Sequence, residues 1–213
     1  MNIEELKNQL YGHIEGIEAT AKEFPWDKKD YYAMWLRQTY AFVCHSTRLL
    51  TLSSALSKDD NFHCRFLDHA EEEKRHEKLI EADFKNLNLK ISDFPELLPT
   101  AGIYQIQYYW TQHVNPICLF GYVLLLEGLA VKVGGPVYEK TKEYYGDKAC
   151  NFIRIHVEAD QDHLPKAFKT IEKLDTETLG LISQALKLTS GFYHESLKDI
   201  LKGSWRENKK IAA

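Results

Sequence analysis

His156-Val157-Glu158-Ala159-Asp160-Gln161-Asp162-His163 sets two imidazoles and a carboxylate at helical spacing. At 3.6 residues per turn, positions i, i+4 and i+7 share a face, so this stretch predicts a helix that presents His156, Asp160 and His163 together. Val157, Ala159 and Leu164 give that helix an apolar flank. A face of three ligand-type side chains is costly to bury unless something binds it. The plain alternative is a solvated helix face that happens to carry two histidines, and the rest of the chain decides between the two.

On either side, the periodicity is helical almost throughout. From Ile3 to Phe24 the apolar positions Leu6, Leu10, Ile14, Ile17 and Ala21 step by three and four, and Pro25 stops the helix. A long apolar run from Lys29 through Tyr32, Trp35, Leu36, Tyr40, Val43, Leu49 and Leu52 to Leu56 predicts a central helix. Asp59-Asp60-Asn61 reads as a turn and N-cap, opening a third helix marked by Phe62, Phe66, Leu67, Ala70, Leu79, Ile80 and Phe84. Prolines 95 and 99 mark a connector. A helix over residues 102–113 stops at Asn115-Pro116, and the next is apolar around most of its circumference up to Gly134-Gly135, which makes it a core helix. Pro136 restarts a shorter helix to Tyr145, with Gly146 as its C-cap. Asp147 opens the helix that carries the first stretch, Pro165 should kink it, and a last helix runs from Thr176 to Trp205. The expected fold class is all-α: one domain over residues 1–213, with about seven or eight helices.

A chain of 213 residues, 44% hydrophobic and 27% charged, has the balance of a soluble globular protein with a real core. Its net charge of -4, without a basic block, gives no nucleic-acid footprint. No apolar run is taken to approach about 18 residues, and MNIEELKNQL lacks the basic-then-apolar form of a signal peptide, so the expectation is a cytoplasmic protein with no membrane partner. Cys44, Cys64, Cys118 and Cys150 are scattered without a CxxC pair, which fits reduced thiols, most of them small buried residues.

The third helix repeats the opening pattern. His69-Ala70-Glu71-Glu72-Glu73-Lys74-Arg75-His76 places His69, Glu73 and His76 at i, i+4 and i+7, with Glu72 at the edge of that face. Glu73-x-x-His76 and Asp160-x-x-His163 are then two carboxylate-x-x-His units, the arrangement that helical dinuclear iron sites join with carboxylates from neighbouring helices. Glu127 supplies such a carboxylate, amid Leu124, Leu125, Leu126, Gly128, Leu129 and Ala130, where an unpaired ionised glutamate would cost several kcal/mol. Each piece has an ordinary explanation. Glu71 to Arg75 could be a solvated face laced by ion pairs; Glu127 could be neutral, or paired with Arg48 or Lys132. His45 suits a hydrogen-bonded core histidine or an outer partner of the site, His113 a helix end, and Tyr104, Tyr108, Tyr109 and Trp110 a core cluster. Three independent coincidences must hold together for the metal reading to fail.

In this order and within about 210 helical residues, Glu73-x-x-His76, Glu127 in an apolar helix and His156-x3-Asp160-x2-His163 resemble the heme-oxygenase-like diiron oxidases and oxygenases. These iron-containing redox enzymes are grouped with the TenA and pyrroloquinoline-quinone-biosynthesis C proteins. The resemblance spans about residues 30 to 205. It implies a heme-oxygenase-like (TenA-like) bundle without heme, forming a homodimer, with two Fe per chain, or Mn in their place. Carried over, the ligands are Glu73, His76, Glu127, His156, Asp160 and His163. Some members take the first carboxylate seven residues before the histidine, where this chain has His69, so either Glu73 or His69 fills that place; His45 is a further candidate. The implied reaction is O2-dependent oxidation of a small amino-acid-like or fatty-acid-like substrate, by N-hydroxylation, desaturation or C–C cleavage. Tyr104, Tyr108 and Phe120 are candidates for an apolar substrate wall.

Two other functions compete. One is TenA-like hydrolysis of a thiamine-type pyrimidine with Cys118 as nucleophile; Cys118 lies two and a half turns before Glu127 and is expected to face the same cavity. The other is a non-enzymatic helical interaction protein. Heme oxygenase activity fits least, because the carboxylate and histidine set would compete with a heme pocket.

Overall fold

α1 (Ile3–Glu23) opens on a capping box between Asn2 and Glu5 and ends at Phe24, whose backbone turns extended ahead of Pro25. Its buried residues are Leu6, Leu10, Ile14, Ile17 and Ala21, the set that the three-and-four spacing selects. In a computed structural model of the chain, residues 1–159 and 163–206 are described; their regular structure is helical, with no strand among them. α2 (Lys29–Leu56) is 28 residues long, about 42 Å, and packs against α3 (Asp60–Glu72), whose first amides are capped by the Asp59 carboxylate.

The third helix expected over residues 62–84 is two helices. α3 ends at Glu72 and α4 (His76–Asn86) starts after a turn in which Arg75 adopts the left-handed conformation, φ 71°. No glycine or proline announces this break, and the local sequence favours helix. α5 (Leu98–His113) begins earlier than expected, with Pro99 in its first turn, and His113 is its last residue.

After a 3-10 turn at Pro116–Cys118 come α6 (Leu119–Leu129), a π-helical turn over Ala130–Gly134 and α7 (Gly135–Tyr145), without interruption. The stop expected at Gly134-Gly135 is therefore absent, because the chain widens by one residue per turn and continues. The continuous run Pro116–Tyr145 contains an 18-residue window of mean hydropathy 1.8, longer and more apolar than the sequence reading allowed. That window is 67% buried inside the bundle, which accounts for its apolar character as a core helix. Gly121 is required there: a Cβ would collide with the α10 backbone at Leu186 and Ile182.

A 3-10 turn at Asp147–Ala149 precedes α8 (Asn151–Ala159), and α9 (His163–Ile171) carries Pro165. The kink expected at Pro165 falls beside residues 160–162, which lie outside the described residues. α10 (Thr176–Lys202), capped by Asp175, lies against α6, α5 and α1. Among the described residues, α3 and α4 fill the place of one expected helix and α6 runs into α7. Buried side chains from α1, α2, α6 and α10 form most of the core, and the other helices complete it. All four cysteines are free thiols, but only Cys118 and Cys150 are buried; Cys44 is half-buried and Cys64 exposed.

Candidate metal centre

α3, the turn after it, α4, α6, α8 and α9 bring seven ligand-type side chains to one place. Two groups stand out: Glu73, His76 and His156, and His69, Glu72 and His163; within each, the candidate ligand atoms lie within 4.8 Å of one another. Glu73 touches both. Its Oε2 is 3.3 Å from His76 Nδ1 and its Oε1 is 3.9 Å from His69 Nε2. Glu127 joins the second group, with Oε1 at 3.2 Å from His69 Nε2 and 3.9 Å from His163 Nδ1. His163 faces a second carboxylate through its other nitrogen, Nε2 standing 3.6 Å from Glu72 Oε2. The His69 and His163 rings are 5.8 Å apart and those of His76 and His156 4.7 Å. The break between α3 and α4 lets Glu73 and His76 turn inward together, while Glu71 and Lys74 pair at 3.0 Å on the exposed side.

Electrostatics favour the ligand forms. Burial pushes His69 down to about 4, against the pull of Glu73 and with the help of Arg65, so its imidazole is neutral at neutral pH. Burial alone would raise Glu73, but the hydrogen bond from His76 and the charges of His156, His76 and His69 hold it at about 2. His156 Nδ1 lies 2.7 Å from the Phe152 carbonyl, which only accepts; Nδ1 therefore carries a proton, and Nε2 is the nitrogen left for an ion.

His69, Glu73, Glu127 and His156 also line a cavity of about 130 Å³. Its walls come from α1 (Ile17, Ala21), α2, the α6–π–α7 run, α8 and α10, and the α2 lining alone runs from Trp35 to Leu50, about 22 Å. Apart from the cluster, no charged side chain lines it among the described residues. The neutral polar ones are engaged: Thr39 bonds the Trp35 carbonyl, Ser46 pairs with Tyr122, Trp35 donates to Tyr193, and Trp26 to the Ala21 carbonyl.

With this geometry in view, the sequence matches the profile of a family described as iron-containing redox enzymes over residues 33–189. The chain belongs to this family. No curated protein matches the sequence. Among solved structures, a domain of unknown function with a heme oxygenase-like fold from Shewanella denitrificans OS217 has a TM-score of 0.82 at 17% identity, over 95% of this chain and 93% of that one. A TenA homolog from Pseudomonas syringae pv. tomato str. DC3000 follows at 0.76 and 11%, covering 92% and 93%. A TenA homologue from P. horikoshii OT3 gives 0.67 and 14%, covering 93% and 99%. These likenesses establish the fold of this iron-containing redox enzyme as heme-oxygenase-like.

The donor set suits a family of that description. Two ligands each ~2.1 Å from one ion stand roughly 3 to 3.4 Å apart, which the 3.2 Å and 3.3 Å contacts match and the 3.6 Å and 3.9 Å contacts approach. Mixed imidazole and carboxylate donors fit Fe(II) or Mn(II). Of the six ligands expected in this iron-containing redox enzyme, Glu73, His76, Glu127, His156 and His163 converge, and Asp160 lies outside the described residues. His69 and Glu73, between which the sequence leaves the first ligand open, are both in the cluster. Glu127 pairs with these histidines rather than with Arg48, which bonds the Cys44 carbonyl, or Lys132, which sits over Tyr11. Glu72, left by the sequence at the edge of the face, is part of the second group although its side chain is 40% exposed. Its place at the edge of the face of His69, Glu73 and His76 set it apart from Glu71 without marking it as a ligand.

Three expectations need correction. His45 stands away from the cluster, stacked on Tyr104 at 4.0 Å with Nδ1 2.9 Å from the Tyr108 hydroxyl. Tyr104, Tyr108 and Phe120 do not line the cavity; the first two serve His45, and Phe120 packs on Phe66. Cys118 does not face the cavity either. It is fully buried, and burial pushes its thiol up to about 12, which leaves no thiolate for nucleophilic attack.

Proposed function

We propose that this chain is a non-heme dinuclear iron oxidase or oxygenase that uses O2 to oxidise a small, largely apolar molecule held in the cavity. The observation that carries the reading is the pair of histidine and carboxylate groups that share Glu73 and open on an apolar wall. Glu73, His76 and His156 would hold one ion; His69, Glu127 and His163, with Glu72 outside them, would hold the other. Bound there, iron supplies the electrons for reducing O2 and the oxidising power toward the substrate.

The chain's own residues do the rest. Glu73 and Glu127 supply negative charge to offset the ions, and neutral His69 accepts an ion without first losing a proton. Phe152 fixes the His156 ring. The apolar wall excludes water and binds the body of the substrate, and because its neutral polar groups are already engaged, the cluster is left to receive the substrate's polar end. This argues against a free amino acid, whose two charges would need partners that the wall does not offer among the described residues.

The test is reaction of the Fe(II)-loaded protein with O2, followed optically as Fe(II) is consumed. The parent should oxidise its iron, and Cys118→Ser should do so within about twofold of the parent rate. Iron that stays ferrous in air while bound, or a reaction lost with Cys118, would sink the proposal.

A further inference from the structure

His156 reaches the cluster along a chain of contacts that begins on another helix. Its Nδ1–H donates to the Phe152 carbonyl one turn earlier, and its ring lies 4.1 Å from the Phe152 ring. The Phe152 N–H donates to Asp83 Oδ2 at 3.0 Å, while Asn151 donates to Oδ1 through its backbone N–H at 2.8 Å and its Nδ2 at 2.9 Å. Asp83 is 0% exposed. A carboxylate on α4 thus serves the first amides of α8, where the dipole favours negative charge.

α4 carries His76 and, seven residues or about 10 Å later on the same face, Asp83. α8 carries Asn151 and Phe152 at its start and His156 five residues on. The two helices are therefore latched twice in antiparallel sense: Asp83 to the start of α8, and His76 beside His156. The polar interior of the Asp83 latch is satisfied without any ion, so it can set the spacing of the histidine pair in advance.

We infer that Asp83 is a positioning residue for the metal position formed by Glu73, His76 and His156, acting through the Phe152 peptide on the His156 ring. The inference rests on the metal-centre reading above. Removing the carboxylate should free the start of α8 and let the His156 ring turn, weakening that position and leaving the one at His69, Glu127 and His163 intact. Partners of this kind, one step removed from the ion, typically change affinity about 10- to 100-fold.

The experiment is anaerobic Fe(II) titration of the full chain against a competing chelator, in two backgrounds. His163→Ala retains the first position, and there Asp83→Ala should lower affinity by about 10- to 100-fold, with Asp83→Asn, which keeps one acceptor oxygen, in between. His156→Ala retains the second position, where neither change should exceed about twofold. Equal losses in both backgrounds would show a merely structural role and overturn the inference. Should Asp83→Ala not fold, Asp83→Asn decides. A metal-free readout is the imidazole nitrogen NMR of His156: the parent should be protonated at Nδ1, and Asp83→Asn should mix the tautomers. If the parent binds no iron, the dinuclear reading fails separately, and this spectrum still judges Asp83: an unchanged tautomer overturns the inference and a mixed one supports it.

Discussion

His69 joins stability to chemistry in one side chain. It is 5% exposed and stays neutral down to about pH 4, whereas in the unfolded chain it takes up a proton near 6.5. Between those values the unfolded state binds a proton that the folded state does not, so stability is full above 6.5 and is lost as pH falls toward 4, by about 3 kcal/mol. Glu73 acts in the next window: held at about 2 against an ordinary 4.5, it contributes above 4.5 and is lost as pH falls toward 2. His13, His45 and His194, also lowered by burial, share the first window, so the difference between parent and variant isolates His69. Denaturant unfolding of metal-free protein at pH 7.5 and 4.5 should show a smaller loss in His69→Asn than in the parent; equal losses would contradict this assignment. At this scale most of the cluster was legible from ligand-type side chains at i, i+4 and i+7, although it is the break after α3, and not an unbroken helix face, that turns Glu73 and His76 inward. Glu72 was not, because an exposed glutamate among glutamates carries no local mark of the histidine opposite it.

Helix boundaries were legible where capping residues mark them: Asp59 and Gly146 stand at the helix ends that the sequence assigns to them, and the structure adds the caps of Asn2 with Glu5 and of Asp175. The break between α3 and α4 was not, because it answers to the inward turn of Glu73 and His76 and not to the good helix formers around them. Arg75 bears its cost: at φ 71° its Cβ crowds the following carbonyl, and a glycine there would not. Arg75→Gly should therefore stabilise the fold by about 0.5–1 kcal/mol, after allowance for the added freedom of the unfolded chain. Thermal melts of the metal-free protein check it, and a loss of stability would mean that Arg75 makes contacts worth more than its strain. The π-helical turn at Ala130–Gly134 defeats local reading in the opposite way. Gly134-Gly135-Pro136 reads as punctuation, yet packing around it carries the helix through, and Ala130, Val133 and Gly134 become part of the cavity wall.

In the whole molecule, the all-α class and the order of the elements follow from periodicity alone, whereas the cavity does not. Which face of a buried helix looks into a void depends on how its neighbours pack, so composition pointed to Tyr104, Tyr108 and Phe120 while Tyr122, Trp35 and Tyr193 form the wall. Glu127 remains the centre of the account. It is 5% exposed on an apolar helix and faces His69 and His163, and burying a carboxylate carries a desolvation cost that an amide of the same shape does not. The most direct measurement is the iron content of the full chain after anaerobic reconstitution with Fe(II), read beside Glu127→Gln. The parent should hold two iron ions per chain; Glu127→Gln should lose one, with metal-free thermal stability equal to or above that of the parent. A folded parent that binds no iron above background, or a Glu127→Gln that keeps both ions and unfolds when stripped, would contradict the dinuclear centre.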